Sequence, residues 1–119
     1  MDDQIKTKPE YAQILVECYH RTRQLAQTEQ PPAWMTWLVD EREEQIEHGP
    51  RYGCGEWFGP VHEFERMRLR RAIDDLERGG LIVTWRRRGR RLSNIELTKS
   101  GVKFAKQLAK EAKNDCSIP

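Results

Sequence analysis

Arginine dominates one short stretch of the sequence, from residue 86 to residue 91. Five of these six positions are arginine: Arg86, Arg87, Arg88, Arg90 and Arg91. Guanidinium groups repel one another at such short separations, so their clustering is costly unless an anionic partner lies opposite them. Because the run itself contains no acid, it predicts binding to a polyanion.

Histidine and cysteine supply the other candidates for chemistry. Their positions are Cys18, His20, His48, Cys54 and His62. The spacings match no common zinc site, and the residues come from separate segments. The sequence also shows no nucleophile elbow, phosphate-binding glycine loop or pair of catalytic carboxylates. We therefore predict that the protein is not an enzyme and holds no metal or other cofactor.

Charge is distributed unevenly along the chain, although the formal net charge is only +2. Residues 61–101 hold ten arginines and one lysine against six acids, whereas residues 40–47 hold five acids and one arginine. The sequence therefore predicts one basic and one acidic region.

Length and composition are those of a single small domain. The 119 residues are 37% hydrophobic and 34% charged, which indicates a small core beneath a charged surface. Three cysteines without a CxxC pair favour a reducing compartment. The sequence has neither a run of about 18 apolar residues nor a signal-peptide pattern. These observations predict a soluble, cytoplasmic protein with no membrane segment.

The first half of the chain predicts two helices and a loop. Residues 7–27 begin with Thr7 as a helix cap and continue with apolar residues at helical spacing. These are Tyr11, Ile14, Leu15, Cys18, Tyr19 and Leu25. Residues 33–48 predict a second helix that is amphipathic only in its first half, so we expect its acidic end to project into water. Residues 49–59 include four glycines and predict a loop.

The second half predicts a helix, a hairpin and a last helix. Residues 60–79 form the first of these, with one apolar stripe. The stripe is Phe64, Leu69, Ala72, Ile73 and Leu76. Residues 81–98 hold two strand-like segments around the arginine-rich tip. Thr98 can cap a helix over residues 99–113, and residues 114–119 are expected to fray. The predicted fold class is mainly α with a small β-hairpin, an α+β single domain.

Two sequence segments flank the basic hairpin: LRRAIDDLERGGLI at residues 69–82 and IELTKSG at residues 95–101. This combination resembles the winged-helix DNA-binding regulators, particularly the MarR-like and PadR-like groups, over the last third to half of the chain. The resemblance implies a winged helix-turn-helix domain over residues 1–119 that binds double-stranded DNA as a homodimer through its outer helices. It allows a small-molecule effector, which the sequence does not identify.

The resemblance also implies which residues bind DNA. Residues 60–79 would be the recognition helix, with Arg66, Arg68, Arg70 and Arg71 on or near its groove-facing surface, and Arg86 to Arg91 would form the wing. The helix arginines could contact phosphates or guanine, and the wing arginines phosphates or a narrowed minor groove. Residues 49–59 depart from the pattern, because the two helices of a helix-turn-helix are joined by only about 3–4 residues. The segment FGPVHEFE, residues 58–65, could supply a short supporting helix instead.

Two other interpretations stay open. The helix arginines could form a solvated face paired with acids four residues away, Arg70 with Asp74 and Arg71 with Asp75. The four tryptophans could form an aromatic site for a ligand, a protein partner or single-stranded bases. These are Trp34, Trp37, Trp57 and Trp85. Trp34 and Trp37 also suit a core or a dimer contact, and Trp85 suits packing under the arginine stems.

The main hypothesis is a transcriptional regulator that binds double-stranded DNA through a recognition helix and an arginine-rich wing. The rival hypothesis is a winged-helix interaction module, in which residues 40–47 and the tryptophans dock a protein partner without reading DNA. Binding of RNA or single-stranded DNA is a further variant of the first hypothesis.

Overall fold

Five helices and two strands make up the described part of the computed structural model, residues 9–87 and 91–117, with side chains described as far as residue 110. The elements are α1 (Pro9–Gln27), α2 (Thr36–His48), α3 (Cys54–Phe58), α4 (Glu63–Arg78), β1 (Ile82–Arg86), β2 (Leu92–Leu97) and α5 (Lys99–Ser117). The fold is therefore mostly helical with one small hairpin, as the sequence predicted.

The core forms where α1 packs against α4, α5 and β2. From α1 it takes the predicted stripe, whose buried members are Tyr11, Ile14, Leu15, Cys18 and Tyr19. From α4 it takes Leu69, Ala72, Ile73 and Leu76. Both sets recur every three or four residues, so each helix turns one apolar face inward. Phe64 does not join the α4 stripe as predicted, because its side chain is 81% exposed.

The predicted hairpin is present as an antiparallel pair of strands. Ile82 lies opposite Leu97 and Thr84 opposite Ile95, and the register shifts at Trp85 and Arg86. The inward side chains, Ile82 and Ile95, are buried in the core. The hairpin is therefore anchored in the core at its base, where Ile82 and Ile95 lie.

The segment after α2 joins the hairpin as a third, very short edge. Arg51 forms an antiparallel bridge with Asn94, and the Ile95 amide donates to the Pro50 carbonyl at 3.2 Å. A Cβ at Gly49, whose φ is +90°, would lie 2.3 Å from the Ile95 carbonyl oxygen, so only glycine allows this close approach. The edge ties the end of α2 to β2.

Asn94 is the buried polar residue of this junction, and its replacement by alanine should destabilise the protein. Its side chain is 1% exposed, and Nδ2 donates to the Gly49 carbonyl at 2.8 Å. Asn94→Ala leaves that carbonyl buried without its donor, at a cost of about 1–3 kcal/mol. Urea unfolding measures the change. Ser93→Ala removes an exposed hydrogen bond to Trp85 and should cost less than about 0.5 kcal/mol; equal losses would contradict this role for Asn94.

Residues 49–59 are not simply a loop, because they contain α3 and the bridge at Arg51. Trp57 explains the helix. Its side chain is 5% exposed, and its Nε1 donates to the Arg51 carbonyl at 2.9 Å, so tertiary packing outweighs the local glycines. Four residues, 59–62, connect α3 to α4. The alternative that FGPVHEFE, residues 58–65, forms a short supporting helix is therefore wrong, because this segment holds only the last residue of α3, the connection and the start of α4.

Three helix boundaries differ from the predicted ones. Helix α2 begins at Thr36 rather than residue 33, because the Met35 amide closes a turn onto the Pro32 carbonyl at 2.9 Å. Helix α4 begins at Glu63 rather than residue 60, since the backbone at His62 is still extended. Helix α5 runs through Ser117, past the predicted end at residue 113 and into the segment expected to fray.

The ends of the outer helices test the predicted caps. The continuation of α5 is consistent with its sequence, in which no glycine or proline follows Gly101 until Pro119. Thr98 caps this helix as predicted, since its Oγ1 accepts a hydrogen bond from the Gly101 amide at 3.0 Å. The predicted cap Thr7 lies outside the described residues, as do residues 118–119.

Candidate functional site

A cleft lies between α4 and the tip-side ends of the two hairpin strands, with a volume of about 350 Å³. Four arginines line it, and we call it the basic cleft: Arg66, Arg70, Arg86 and Arg91. Arg66 and Arg70 are four residues apart, so they lie on the same side of α4. Arg86 and Arg91 come together because the Arg87 amide donates to the Arg91 carbonyl at 2.9 Å, beyond the last strand pair on the tip side of the hairpin. The fold thus unites helix and hairpin arginines.

Among the described residues, Asp74 is the one acid that lines the same cleft. Its Oδ1 lies 3.9 Å from Arg86 Nη2, and both side chains are about half exposed. Within the part of the chain that the structure describes, Arg66, Arg70 and Arg91 form no ion pair. The cleft therefore has a clear excess of positive charge.

Acids from other elements partly neutralise the arginine run. This corrects the expectation, drawn from the run alone, that an anionic partner must supply all of the opposite charge. Besides the pair between Arg86 and Asp74, Arg87 Nη2 lies 3.4 Å from Glu44 Oε1 of α2. The hydrogen bond from Arg51 lowers the pKa of Glu44, with a further contribution from Arg87, so the carboxylate stays ionised. Exposed pairs of this kind contribute only about 0–1 kcal/mol. A phosphate could therefore replace either acid. Arg88 and Arg90 lie outside the described residues.

Arg68 and Arg71 are exposed but do not line the basic cleft. They border a separate depression between α4 and the start of α1, together with Glu10 and Tyr11. The structure thus divides the four predicted helix arginines between two sides of α4.

The predicted pairing of helix arginines with acids four residues away is wrong. Asp75 instead accepts from the Tyr11 hydroxyl at 2.7 Å and from Arg78 Nη2 at 2.8 Å. Asp74 faces Arg86, as described above. Asp74 and Asp75, which were predicted to pair with Arg70 and Arg71, therefore contact other residues.

The tryptophans do not form one aromatic site. Trp34 and Trp37 are 75% and 63% exposed, so neither belongs to the core of the chain. Trp57 is buried. Trp85 stacks on His48, with ring centroids 4.1 Å apart.

The acidic end of α2 packs against the hairpin side of the molecule instead of projecting into water. Arg51 Nη1 lies 3.2 Å from Glu41 Oε1, and Arg51 Nη2 lies 2.9 Å from Glu44 Oε2. The stack of His48 on Trp85 adds a second contact. Helix α2 therefore braces the hairpin, an arrangement that its charged sequence did not reveal.

The cysteine and histidine side chains that the structure describes do not form a cluster. Cys18 is buried, its Sγ donates to the Ile95 carbonyl at 3.4 Å, and burial raises its pKa to about 12. Cys54 lines the basic cleft beside Tyr52, whose pKa burial raises. Among the residues described, no group of three or more His, Cys, Asp or Glu side chains is arranged to hold a metal.

No helix of residues 9–87 and 91–117 has the length and apolar character to cross a membrane.

The sequence interpretation missed Tyr52, because this cleft residue comes from a segment that is distant in the chain from both α4 and the hairpin. The molecule as described is a mostly helical protein with a small antiparallel hairpin and an arginine-lined cleft between the two. Comparisons with protein-family models, with curated proteins and with solved structures give no significant match.

Proposed function

We propose that the protein binds double-stranded DNA as a transcriptional regulator of the winged-helix type. The observation that carries the proposal is the basic cleft, in which arginines from α4 and from the hairpin face one space with a single acid among them. Helix α4 would enter the major groove, and the hairpin would contact the adjacent backbone as a wing. Binding of a polyanion explains why cations from two elements converge on one space. Isolated surface charges would not need to converge in this way.

The connections of the fold support this proposal. Helices α3 and α4 are joined by residues 59–62, a length that fits a helix-turn-helix. The bridge between Arg51 and Asn94 adds a short third edge to the hairpin. With its 16 residues, α4 is about 24 Å long and fits a major groove about 12 Å wide.

The arginines would divide their tasks by position. Those in the basic cleft lie between helix and wing, where a phosphate strand would pass, and they serve as backbone contacts. Arg71 borders the depression between α4 and α1 and is exposed, so its guanidinium is free to fork onto guanine O6 and N7. The proposed assembly is a cytoplasmic homodimer through α1 and α5, and no effector is assigned.

Direct competition between double and single strands tests the proposal. The probe is a labelled 25-base-pair random-sequence duplex, followed by fluorescence anisotropy, with either unlabelled duplex or one of its strands as competitor. We expect the duplex to compete at a concentration at least tenfold lower than the single strand, because α4 fits a groove that only the duplex has. Equal competition would favour single-strand or RNA binding, and no binding to any probe would refute the proposal.

One observation favours a second candidate function, a protein-interaction module. Helix α2 has no buried residue, and Trp34 and Trp37 beside its start are largely exposed. A partner could cover this aromatic surface. Retention on heparin that is lost at modest salt favours DNA binding, whereas complexes that survive nuclease and high salt, and that Trp34→Ala disrupts, favour the module.

A further inference from the structure

Phe64 presents an aromatic ring to solvent at the start of α4. Its side chain is 81% exposed, and that of Met67, one turn further on, is 49% exposed. The buried stripe of α4, which contains Leu69 and Ile73, faces the opposite way. Burying such a side chain against an apolar group of a partner is favourable, so this exposed ring can contribute binding energy there.

We propose that Phe64 and Met67 contact the methyl groups of thymine in the major groove, which makes them specificity-determining residues. The inference rests on the proposed function. Thymine is the base that displays an apolar group in that groove, and phenylalanine is among the side chains suited to it. The N-terminal residues of a recognition helix are those that reach base edges in a helix-turn-helix.

The charges around the two residues favour DNA as the occupant of this surface. Arg71 follows Phe64 and Met67 at helical spacing, and Arg70 lines the adjacent basic cleft. From Phe64 to Arg71 the helix rises about 10 Å, or roughly three base-pair steps. The expected half-site therefore carries one or two thymines, with guanine about three base pairs away where Arg71 reads a base.

The acids of the first turn point to the same orientation. Glu63 and Glu65 flank Phe64 and would be repelled by phosphates. Over base edges a glutamate can accept a hydrogen bond from cytosine N4, so this turn is better placed there than against the sugar-phosphate backbone. The arginines further along α4 and in the hairpin supply the backbone contacts instead.

Replacing thymine by uracil tests the proposal, because it removes only the methyl group. Duplexes are first selected from a random pool with the unaltered protein, and each thymine of a selected duplex is then replaced singly by deoxyuridine. At one or two positions per half-site, deoxyuridine should weaken binding about fourfold, as expected for exposing one methyl group. Phe64→Ala should abolish this sensitivity at one position, and Phe64→Leu, which keeps an apolar contact, should retain it.

Trp34→Ala is the matched control, since it removes another exposed aromatic ring outside α4 and should keep full sensitivity to deoxyuridine. Circular dichroism checks that each variant is folded. If the selected duplex binds tightly but deoxyuridine has no effect at any thymine, DNA binding stands and this inference is overturned. The inference is likewise overturned, with DNA binding still standing, if Phe64→Ala and Met67→Ala both keep the sensitivity to deoxyuridine of the unaltered protein. If no duplex is enriched, the proposed function itself fails.

Discussion

Raising the salt concentration fourfold, from about 50 to about 200 mM, should weaken duplex binding by roughly four orders of magnitude for a dimer. If each protomer neutralises about four phosphates, the slope of log affinity against log salt is about −4 for a monomer and about −7 for a dimer, because each contact releases about 0.9 counterion. The monomer would therefore lose only about two orders over the same interval. Anisotropy titrations at four or five salt concentrations measure the slope and also report the stoichiometry.

The basic cleft should account for most of this salt dependence. Replacing Arg66, Arg70 and Arg91 together with alanine should lower the magnitude of the slope by about 3 per protomer and weaken binding on the order of a hundredfold at 150 mM salt. These arginines form no ion pair in the described structure, so their loss leaves no acid unpaired. Arg86 and Arg87 are left unchanged because each already faces an acid.

A control variant separates a specific cleft from a general effect of charge. Replacing Lys103, Lys106 and Lys110 of α5 with alanine removes the same three positive charges from exposed positions away from the cleft. Alanine favours helices, so α5 should persist. Because α5 belongs to the proposed dimer interface, size-exclusion chromatography first checks that the oligomeric state is unchanged; this variant should then keep a slope within about 1 of the unaltered protein. Equal losses in both variants would show that net charge alone drives binding, and an affinity insensitive to salt would contradict the proposed function.

Local sequence patterns were sufficient to predict the helices and strands that bury one face. The spacing from Tyr11 to Tyr19 predicted the buried side of α1, and the alternation of strand-like segments predicted the hairpin. Helix α3 was missed because its cause is tertiary. The residues around Trp57 are rich in glycine, and only insertion of that ring into the core makes a helix there favourable.

The error at Phe64 was avoidable from the sequence. Five residues separate Phe64 from Leu69, which is about 500° of rotation and leaves the two about 140° apart around α4. Hydrophobicity alone placed Phe64 in the stripe, and geometry excludes it. The corrected position is what makes Phe64 a candidate for base contact.

The composition of the site depends on contacts that sequence spacing does not encode. Arg87 meets Glu44 across 43 positions of the chain, and Arg86 meets Asp74 because the hairpin folds back along α4. The sequence correctly offered the cations. Which acids would face them follows from the packing of α2 and α4 against the hairpin, which no local pattern specifies.

Gly101→Ala should be among the most destabilising single substitutions in the protein. A Cβ at this position of α5 would lie 1.9 Å from the Leu81 carbonyl oxygen and 3.2 Å from Leu97 Cδ2. Leu81 cannot easily move away, because its carbonyl accepts the Thr98 amide at 3.0 Å and its own amide donates to Leu76 at 3.0 Å. The helix must shift instead, at a cost of about 3 kcal/mol.

Gly55→Ala provides the control, since a Cβ there meets no atom within 4 Å and the residue lies in helix α3. That substitution should stabilise the protein by about 0.5–1 kcal/mol, because alanine loses less backbone entropy than glycine. Urea unfolding should give a midpoint lowered by more than about 1 M for Gly101→Ala and slightly raised for Gly55→Ala. Unchanged stability of Gly101→Ala would mean that α5 does not contact the start of the hairpin so closely. The basic cleft depends on the position of the hairpin beside α4, and contacts other than that of α5 with Leu81 would then have to hold the hairpin there.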